Sequence, residues 1–150
     1  MSAVNLRPAL PSDVPRLLSI EQRAFPSDRI KPRQMRYLLT RARARSWVAE
    51  VDGVVAAYAM VLTPALPRAA RLYSIAVDPV YRGAGLARRL LDQSLRDSRE
   101  AGYRRVILEV RAADTPVREF YTRAGFELTG ELPGYYADGA DGVRMQWQPA

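Results

Sequence analysis

The order of elements between residues 71 and 110 constrains the fold more than any other feature of this sequence. Residues 71–77 form an apolar run typical of a strand, and a loop with Gly83 and Gly85 follows it. Residues 85–101 carry leucines at helical spacing, and residues 106–110 are again apolar, consistent with a strand buried on both faces. This succession predicts a sheet with helices packed on its faces.

The rest of the chain continues with short strands and helices. Ser12 and Asp13 are candidate N-caps for a helix that should end near Phe25, because Pro26 disfavours helical backbone at the residue before it. Further strands are predicted over residues 4–7, 46–51, 54–62, 126–128 and 143–147, and further helices over 34–42 and 115–124.

Turn signals separate these elements. Asp52–Gly53 predicts a tight hairpin turn, and Pro64 and Pro67 indicate a loop. The resulting layout, β-α-α-β-β-β-α-β-α-β-β, predicts an α/β fold with a mixed sheet. Because the chain shows no repeat and no low-complexity linker, residues 1–150 are expected to form one domain.

The sequence contains neither cysteine nor histidine. Disulfides, thiolate metal sites, cysteine nucleophiles and imidazole bases or zinc ligands are therefore excluded, and no metal is expected. Acid–base chemistry must come from carboxylates, tyrosine, lysine, chain termini or water.

The chain is strongly basic, with 23 lysines and arginines against 16 acidic residues, a net charge of +7. A basic surface could bind nucleic acid, a phosphorylated cofactor or an acidic partner, although a compositional bias explains most of the arginines. Nucleic acid is not favoured, because no basic run is interleaved with aromatic residues. No apolar run approaches the roughly 18 residues of a membrane helix, and residues 1–10 lack a signal-peptide pattern, so a soluble, cytoplasmic protein is expected.

The loop Tyr81-Arg82-Gly83-Ala84-Gly85-Leu86-Ala87-Arg88 follows a strand and opens a helix. Glycines allow close backbone approach, and a helix start supplies unpaired N–H groups and the positive end of the dipole, which together suit a pyrophosphate. The loop is neither a GxxxxGK[ST] phosphate loop nor a full dinucleotide fingerprint. By itself it fits an anion site and a turn that needs glycine for its geometry equally well.

A second group of candidate residues follows the strand over residues 106–110. Glu109 alternates with Leu108 and Val110, so it points to the opposite face and is a candidate general base. Tyr121, on the next helix, could face the same cleft. Their structural alternatives are an ion pair for Glu109, with Arg111 or a helix arginine, and core packing for Tyr121.

These residues resemble the GNAT superfamily of N-acetyltransferases. The segment from Arg82 to Ala87 is similar to its acetyl-CoA motif, Q/R-x-x-G-x-G/A, and residues 120–126, FYTRAGF, are similar to its LYxxxGF helix end. The resemblance implies a central mixed, mostly antiparallel sheet flanked by about four helices. It also implies acetyl-CoA as cosubstrate, with its pyrophosphate on the glycine loop and its pantetheine arm along Ile75, Ala76 and Val77.

A narrower resemblance is to the RimI-type N-terminal acetyltransferases of ribosomal proteins, which carry LEVR where this chain has residues 108–111. It implies Glu109 as proton acceptor and Tyr121 as proton donor, 121 − 109 = 12 positions apart as in that group. Phe25-Pro26 resembles its peptide-binding loop, and Tyr135-Tyr136 resembles the tyrosines of its last hairpin.

One position departs from the family, because Asp114 stands where an asparagine usually contacts the coenzyme, and a carboxylate close to phosphates would repel them. Asp138 and Asp141, in the turn-rich segment over residues 132–142, fit a polar hairpin loop better than a site.

The resemblance therefore implies direct transfer of an acetyl group to a primary amine, first of all a protein or peptide N-terminus, a ribosomal protein being one possibility. Two alternatives stay open. One is acetylation of a small amine such as a polyamine, amino sugar or amino acid, and the other is a non-catalytic acetyl-CoA or RNA-binding module. Either a monomer or a homodimer is compatible with the sequence.

Overall fold

The computed structural model describes residues 2–40, 43–65 and 69–149, which form one seven-stranded sheet and four helices. The strands are β1 (Val4–Pro8), β2 (Ala44–Val51), β3 (Val54–Leu62), β4 (Ala70–Val77), β5 (Val106–Arg111), β6 (Glu127–Leu132) and β7 (Gly142–Trp147). The helices are α1 (Val14–Ala24), α2 (Pro32–Thr40), α3 (Leu86–Glu100) and α4 (Thr115–Arg123). The sheet order is β1-β2-β3-β4-β5-β7-β6, and only β4 and β5 pair in parallel. The predicted α/β fold with a mixed, mostly antiparallel sheet is confirmed.

The predicted elements occur in the predicted order, and the largest boundary error is at β6. That strand extends to Leu132, four residues beyond the prediction, because it pairs with β7 as far as Leu132 opposite Gly142. Gly142 accordingly lies in a strand and not in the connecting turn. Pro67 and the last two positions of the predicted second helix, 41 and 42, lie outside the described residues.

The prediction that Asp13 caps α1 is confirmed for its position but wrong for its side-chain bonding. Asp13 does occupy the N-cap position of α1, but its side chain makes no capping bond there. Its carboxylate instead forms a 2.9 Å ion pair with Arg7 of β1 and accepts a 2.7 Å hydrogen bond from the Leu10 N–H. Because a guanidinium group neutralises the buried charge directly, the ion pair is preferred over the helix N–H groups.

The helices cover the sheet unequally. Helix α3 packs on one face through leucines such as Leu86, Leu90 and Leu91, and α4 extends that layer over β5. Helices α1 and α2 cover the other face over β2, β3 and β4 only, with Leu17 and Met35 in the core. On that second face, the polar side chains of β5 and β7 are therefore without a helix above them among the described residues.

The parallel pair β4–β5 separates soon after it begins. Only Ala70 opposite Val106 and Arg71 opposite Ile107 are in register. A β-bulge at Tyr73, opposite the Met60–Val61 step of β3, bends β4 directly after this point. The remainder of β4 consequently keeps a hydrogen-bonding edge that no described strand occupies.

Candidate active site

The glycine loop leads from the end of β4 into α3. Gly83 and Gly85 have φ angles of 86° and 73°, in the left-handed region that favours glycine, and Gly85 is the N-cap residue of α3. A Cβ atom built on either glycine would have no atom within 4 Å. Open space therefore lies in front of the loop, and backbone conformation is what requires the glycines.

The backbone N–H groups of this loop are free donors. Within the described parts of the chain, no group accepts a hydrogen bond from the N–H groups of residues 83–88, and the first bond of the helix runs from Arg89 N to Gly85 O, at 3.1 Å. Free N–H groups at the positive end of a 15-residue helix are suited to a phosphate or pyrophosphate. The residues present thus fit the phosphates of a coenzyme.

A groove of about 350 Å³ runs from this loop along β4. Nine of the predicted coenzyme-binding residues line it: Ile75, Ala76, Val77, Arg82, Gly83, Gly85, Leu86, Ala87 and Arg88. The other two, Ala84 and Asp114, do not. The Asp114 carboxylate caps α4 by accepting a 3.3 Å bond from the Val117 N–H, so its coenzyme contact stays a prediction.

A buried carboxylate that the sequence analysis did not single out holds the start of the glycine loop. Asp78 is 1% exposed and accepts hydrogen bonds from Arg16 at 2.7 Å, from Arg23 at 2.9 Å and from the Val80 N–H at 3.1 Å. Burial alone would raise the pKa of Asp78, but the Val80 N–H and the two arginines lower it below its ordinary value. Asp78 therefore ties α1 to the end of β4. The only sequence signal for it is an Asp-Pro pair directly after a strand.

Glu109 lies on the open face of β5 between two arginines. Its Oε1 accepts a 2.6 Å hydrogen bond from Arg71 Nε of β4, and its Oε2 accepts a 3.1 Å bond from Arg144 Nε of β7. The ion pair considered for Glu109 thus exists, but with these residues and not with Arg111 or a helix arginine. Its side chain is only 4% exposed.

Tyr121 lies on the other side of the sheet. Its ring belongs to the core cluster that contains Leu108, and it makes edge-to-face contacts with Phe120 and Phe126 at centroid distances of 5.1 and 5.4 Å. Phe120 lines the groove, and Tyr121 does not. Burial raises the pKa of Tyr121, so the phenol remains protonated at neutral pH. Glu109 and Tyr121 therefore lie on opposite faces of the sheet.

The tyrosines of the last hairpin lie near Glu109. The Tyr135 hydroxyl accepts a long, 3.4 Å hydrogen bond from Arg71 Nη2. The rings of Tyr135 and Tyr136 are edge to face, with centroids 5.1 Å apart. Burial raises the pKa of Tyr136, whose ring lies 4.3 Å below the Arg111 guanidinium. A Cβ on Gly142 would lie 3.3 to 3.4 Å from both tyrosines, so this strand position seats them closely.

Arg111 links that hairpin to the loop between α1 and α2. Its guanidinium pairs with Asp28 at 2.7 Å and with Asp138 at 2.9 Å. The Asp138 Oδ1 also accepts a 3.0 Å bond from the Ala140 N–H, and the Asp141 carboxylate accepts one at 2.8 Å from the Gly134 N–H. These local bonds agree with the hairpin-loop interpretation of both aspartates.

The predicted peptide loop divides between two surroundings. Phe25 lines the groove beside the predicted coenzyme-binding residues, whereas Pro26 is exposed. The loop is anchored by Glu21, 1% exposed, which accepts a 2.9 Å bond from the Ile30 N–H and a hydrogen bond from the Tyr58 hydroxyl. Sequence reasoning missed Glu21. Its signal was an acidic residue directly after Ile20, on the apolar side of the first helix.

The described residues form neither a metal site nor a membrane-spanning helix. Between residues 2 and 149, outside the gaps at 41–42 and 66–68, no set of three acidic side chains is arranged to bind a metal ion. In the same ranges, no helix has the length and apolar character needed to cross a bilayer.

The fold and the groove define an α/β protein with an anion-binding groove at the end of β4. The profile of the acetyltransferase (GNAT) family matches residues 14–126, and the chain belongs to that family. It is an acyltransferase.

Three similar proteins refine this picture. An N-alpha-acetyltransferase of Sulfurisphaera tokodaii is 32% identical over 151 aligned residues, covering 93% of this chain and 90% of that protein. A putative ribosomal protein bS18-alanine N-acetyltransferase of Bacillus subtilis is 29% identical over 135 residues, covering 90% and 88%. The crystal structure of the ribosomal-protein-S18-alanine N-acetyltransferase from Escherichia coli superposes with a TM-score of 0.88 at 28% identity, covering 97% and 94%. The predicted resemblance to RimI-type enzymes is confirmed.

Proposed function

We propose that this protein transfers an acetyl group from acetyl-CoA directly to the α-amine of a protein or peptide N-terminus. The observation that carries the proposal is the array of free N–H groups over residues 83–88, which lies at the end of an open β4 edge. One end of such a groove binds a pyrophosphate, and the edge accepts an extended amide-containing arm.

The register of β3 and β4 supports the pantetheine assignment. Asp78 N donates to Ala56 O at 2.8 Å, so the amides of Asp78 and Ala76 face β3. Because amides alternate along a strand, those of Ile75 and Val77 face the open edge. They can pair with the pantetheine amides, and the Val77 N–H is the candidate donor to the oxyanion of a tetrahedral intermediate.

Glu109 and Tyr121 supply the proton transfers in this proposal. The acceptor amine loses a proton to Glu109, directly or through water, and attacks the acetyl carbonyl carbon. As the C–S bond breaks, Tyr121 protonates the leaving thiolate. The Tyr121 phenol is protonated at neutral pH and so can donate, and because burial raises its pKa, the transfer must accompany the breaking of the C–S bond. Direct transfer is favoured because the chain has no cysteine to carry the acetyl group.

The acceptor approaches from the face of Glu109, between the α1–α2 loop and the last hairpin. Asp28 and Asp138 belong to these two segments, and Arg111 joins them. Tyr135 and Tyr136 offer a hydroxyl and aromatic faces to an extended peptide. The names of the Sulfurisphaera, Bacillus and Escherichia proteins, all N-terminal or alanine acetyltransferases, favour a protein N-terminus as the acceptor.

Acetyl-CoA-dependent thiol release against three acceptor sets tests the proposal. The sets are peptides with a free N-terminus, the same peptides blocked at the N-terminus but carrying an internal lysine, and small amines. Because the protein contains no cysteine, it adds no thiol background. Turnover with the free-N-terminus peptides alone is expected. Turnover with small amines alone would overturn the choice of acceptor and keep the acetyl transfer.

A further inference from the structure

The two arginines beside Glu109 carry one positive charge more than its carboxylate offsets. Arg71 and Arg144 bind opposite oxygens of that carboxylate, at 2.6 and 3.1 Å. Glu109 is 4% exposed, whereas the arginine side chains are 39% and 44% exposed. The outer parts of both guanidinium groups therefore face the open side of the sheet, from which an acceptor approaches.

Several donor atoms of these arginines have no partner. Arg71 uses Nε for Glu109 and Nη2 for the long bond to Tyr135, and Arg144 uses Nε alone. In the described ranges, nothing accepts a hydrogen bond from Arg71 Nη1 or from either terminal nitrogen of Arg144. A guanidinium fork is suited to a carboxylate, so these atoms form an anion-binding edge beside Glu109.

The neighbouring arginine shows the opposite balance. Arg111, two residues along the same face of β5, has one guanidinium for two carboxylates, those of Asp28 and Asp138. The surplus of positive charge is thus confined to the surroundings of Glu109 and does not extend along the strand. A ligand that satisfies it must carry its negative charge close to the reacting amine.

We propose that the preferred acceptor has an aspartate or glutamate directly after its N-terminal residue, and that Arg71 and Arg144 bind this side chain. The inference rests on the proposed N-terminal acetylation. The reacting amine must come within about 3 Å of Glu109 or of one water bound to it. Consecutive residues of an extended chain are about 3.3–3.6 Å apart, so the second side chain reaches the arginines. A lysine or arginine at that position would be repelled.

The test uses peptides that differ only at the second residue, which is glutamate, glutamine or lysine. Glutamate and glutamine have the same shape, so their ratio isolates charge. Glutamate is expected to exceed glutamine in kcat/KM by roughly fivefold, mainly through KM, with lysine the poorest. The ratio should fall as salt rises, because the arginines are partly exposed.

Variants of Arg144 test whether the preference for glutamate over glutamine depends on this arginine. Arg144→Gln is expected to bring the glutamate-to-glutamine ratio close to one, and Arg144→Lys to restore part of it. Because the ratio is taken within each variant, a general loss of turnover cancels. Arg104→Gln removes one charge from an exposed turn before β5 and should leave the ratio unchanged.

The outcomes of these experiments separate this inference from the proposed function on which it rests. Equal rates with all three peptides, or a preference for lysine, would overturn the inference and leave N-terminal acetylation standing. An unchanged ratio in Arg144→Gln would also overturn it. Acetylation of small amines without any of the peptides would overturn the proposed function, and the inference with it.

Discussion

Arg16 of α1 donates a 2.7 Å hydrogen bond to Asp78, at the point where β4 gives way to the glycine loop. Arg23, two turns further along α1, binds the same carboxylate oxygen at 2.9 Å. These contacts hold the segment between β4 and the glycine loop against α1, the helix that leads to residues 25–31. One buried carboxylate thereby ties the start of the glycine loop to α1.

Asp78→Asn is expected to lower the free energy of unfolding by about 1–3 kcal/mol, since two arginines lose a buried charged partner. Urea denaturation followed by circular dichroism measures it. Glu119→Gln is the matched control, because Glu119 is 59% exposed in a 3.7 Å pair with Arg123 and should change stability little. Equal stability of the two variants would contradict the anchoring role of Asp78.

Acid should destabilise the protein through Asp13 and Asp78. Hydrogen bonds from Arg7 lower the pKa of Asp13, and the Val80 N–H and two arginines hold that of Asp78 low against its burial. Their contribution is fully present above the unfolded aspartate pKa of about 3.9 and is lost as pH falls through the lower folded values. The urea concentration at the midpoint of unfolding, measured from neutral pH downward, should begin to fall once the pH is below about 4. The fall should be less steep in Asp13→Asn.

Gly83→Ala is expected to weaken acetyl-CoA binding while the protein stays folded. The φ of 86° costs an alanine about 1 kcal/mol and reorients N–H groups of the loop. A hydrogen bond to a charged group contributes about 1.5–3 kcal/mol, so KM for acetyl-CoA should rise about tenfold or more. Gly102→Ala imposes similar strain, at φ 96°, at the far end of α3, and should leave KM unchanged. Equal increases in the KM for acetyl-CoA in Gly83→Ala and Gly102→Ala would argue against the glycine loop as the phosphate site.

Tyr121→Phe should reduce kcat by about 10²–10⁴-fold, because the variant has no hydroxyl to protonate the leaving thiolate. Stability should change little, because none of the described residues forms a hydrogen bond with that hydroxyl. The raised pKa of Tyr121 keeps the wild-type phenol protonated above its usual value of about 10. Wild-type kcat should therefore show no decline from phenol ionisation between about pH 8 and 10. If the Tyr121→Phe variant kept the kcat of the wild-type protein across that pH range, Tyr121 would have no role in the mechanism.

Glu109→Gln should also reduce kcat by about 10²–10⁴-fold, because an amide cannot take the proton of the acceptor amine. Single-turnover rates at saturating peptide measure the chemical step. Glu50→Gln is a suitable control, since Glu50 likewise pairs with an arginine, Arg7 at 3.0 Å, but lies on β2, three strands away from β5. If both glutamine variants kept full activity, another base or bulk water would have to take the proton.

Sequence patterns located the elements well because local signals marked most of their ends. The Asp52–Gly53 turn fixed the β2–β3 hairpin, and the ranges of β3 and α4 differ from prediction by at most one residue. Strand β6 was predicted too short because Gly130, directly after Thr129, disfavours a strand. Pairing with β7, which includes a bulge there, extends the strand nonetheless.

The predicted site residues differ in how far local sequence could locate them. The glycine loop was visible because its geometry is local, a strand end followed by a helix start. The partners of Glu109 were not, since Arg71 and Arg144 lie 38 and 35 residues away in sequence. Glu21 and Asp78 were missed for the same reason, because their importance depends on burial by distant segments.

By itself the sequence determined the α/β class, the family, the glycine loop and the absence of cysteine and histidine, since each is written in consecutive residues or in composition. Only the tertiary structure decided that β4 and β5 separate after two residue pairs, that Glu109 and Tyr121 lie on opposite faces, and that two arginines enclose Glu109. The physical reason is that strand register and bulges bring together side chains from β4, β5 and β7, whose separation along the chain leaves no local pattern.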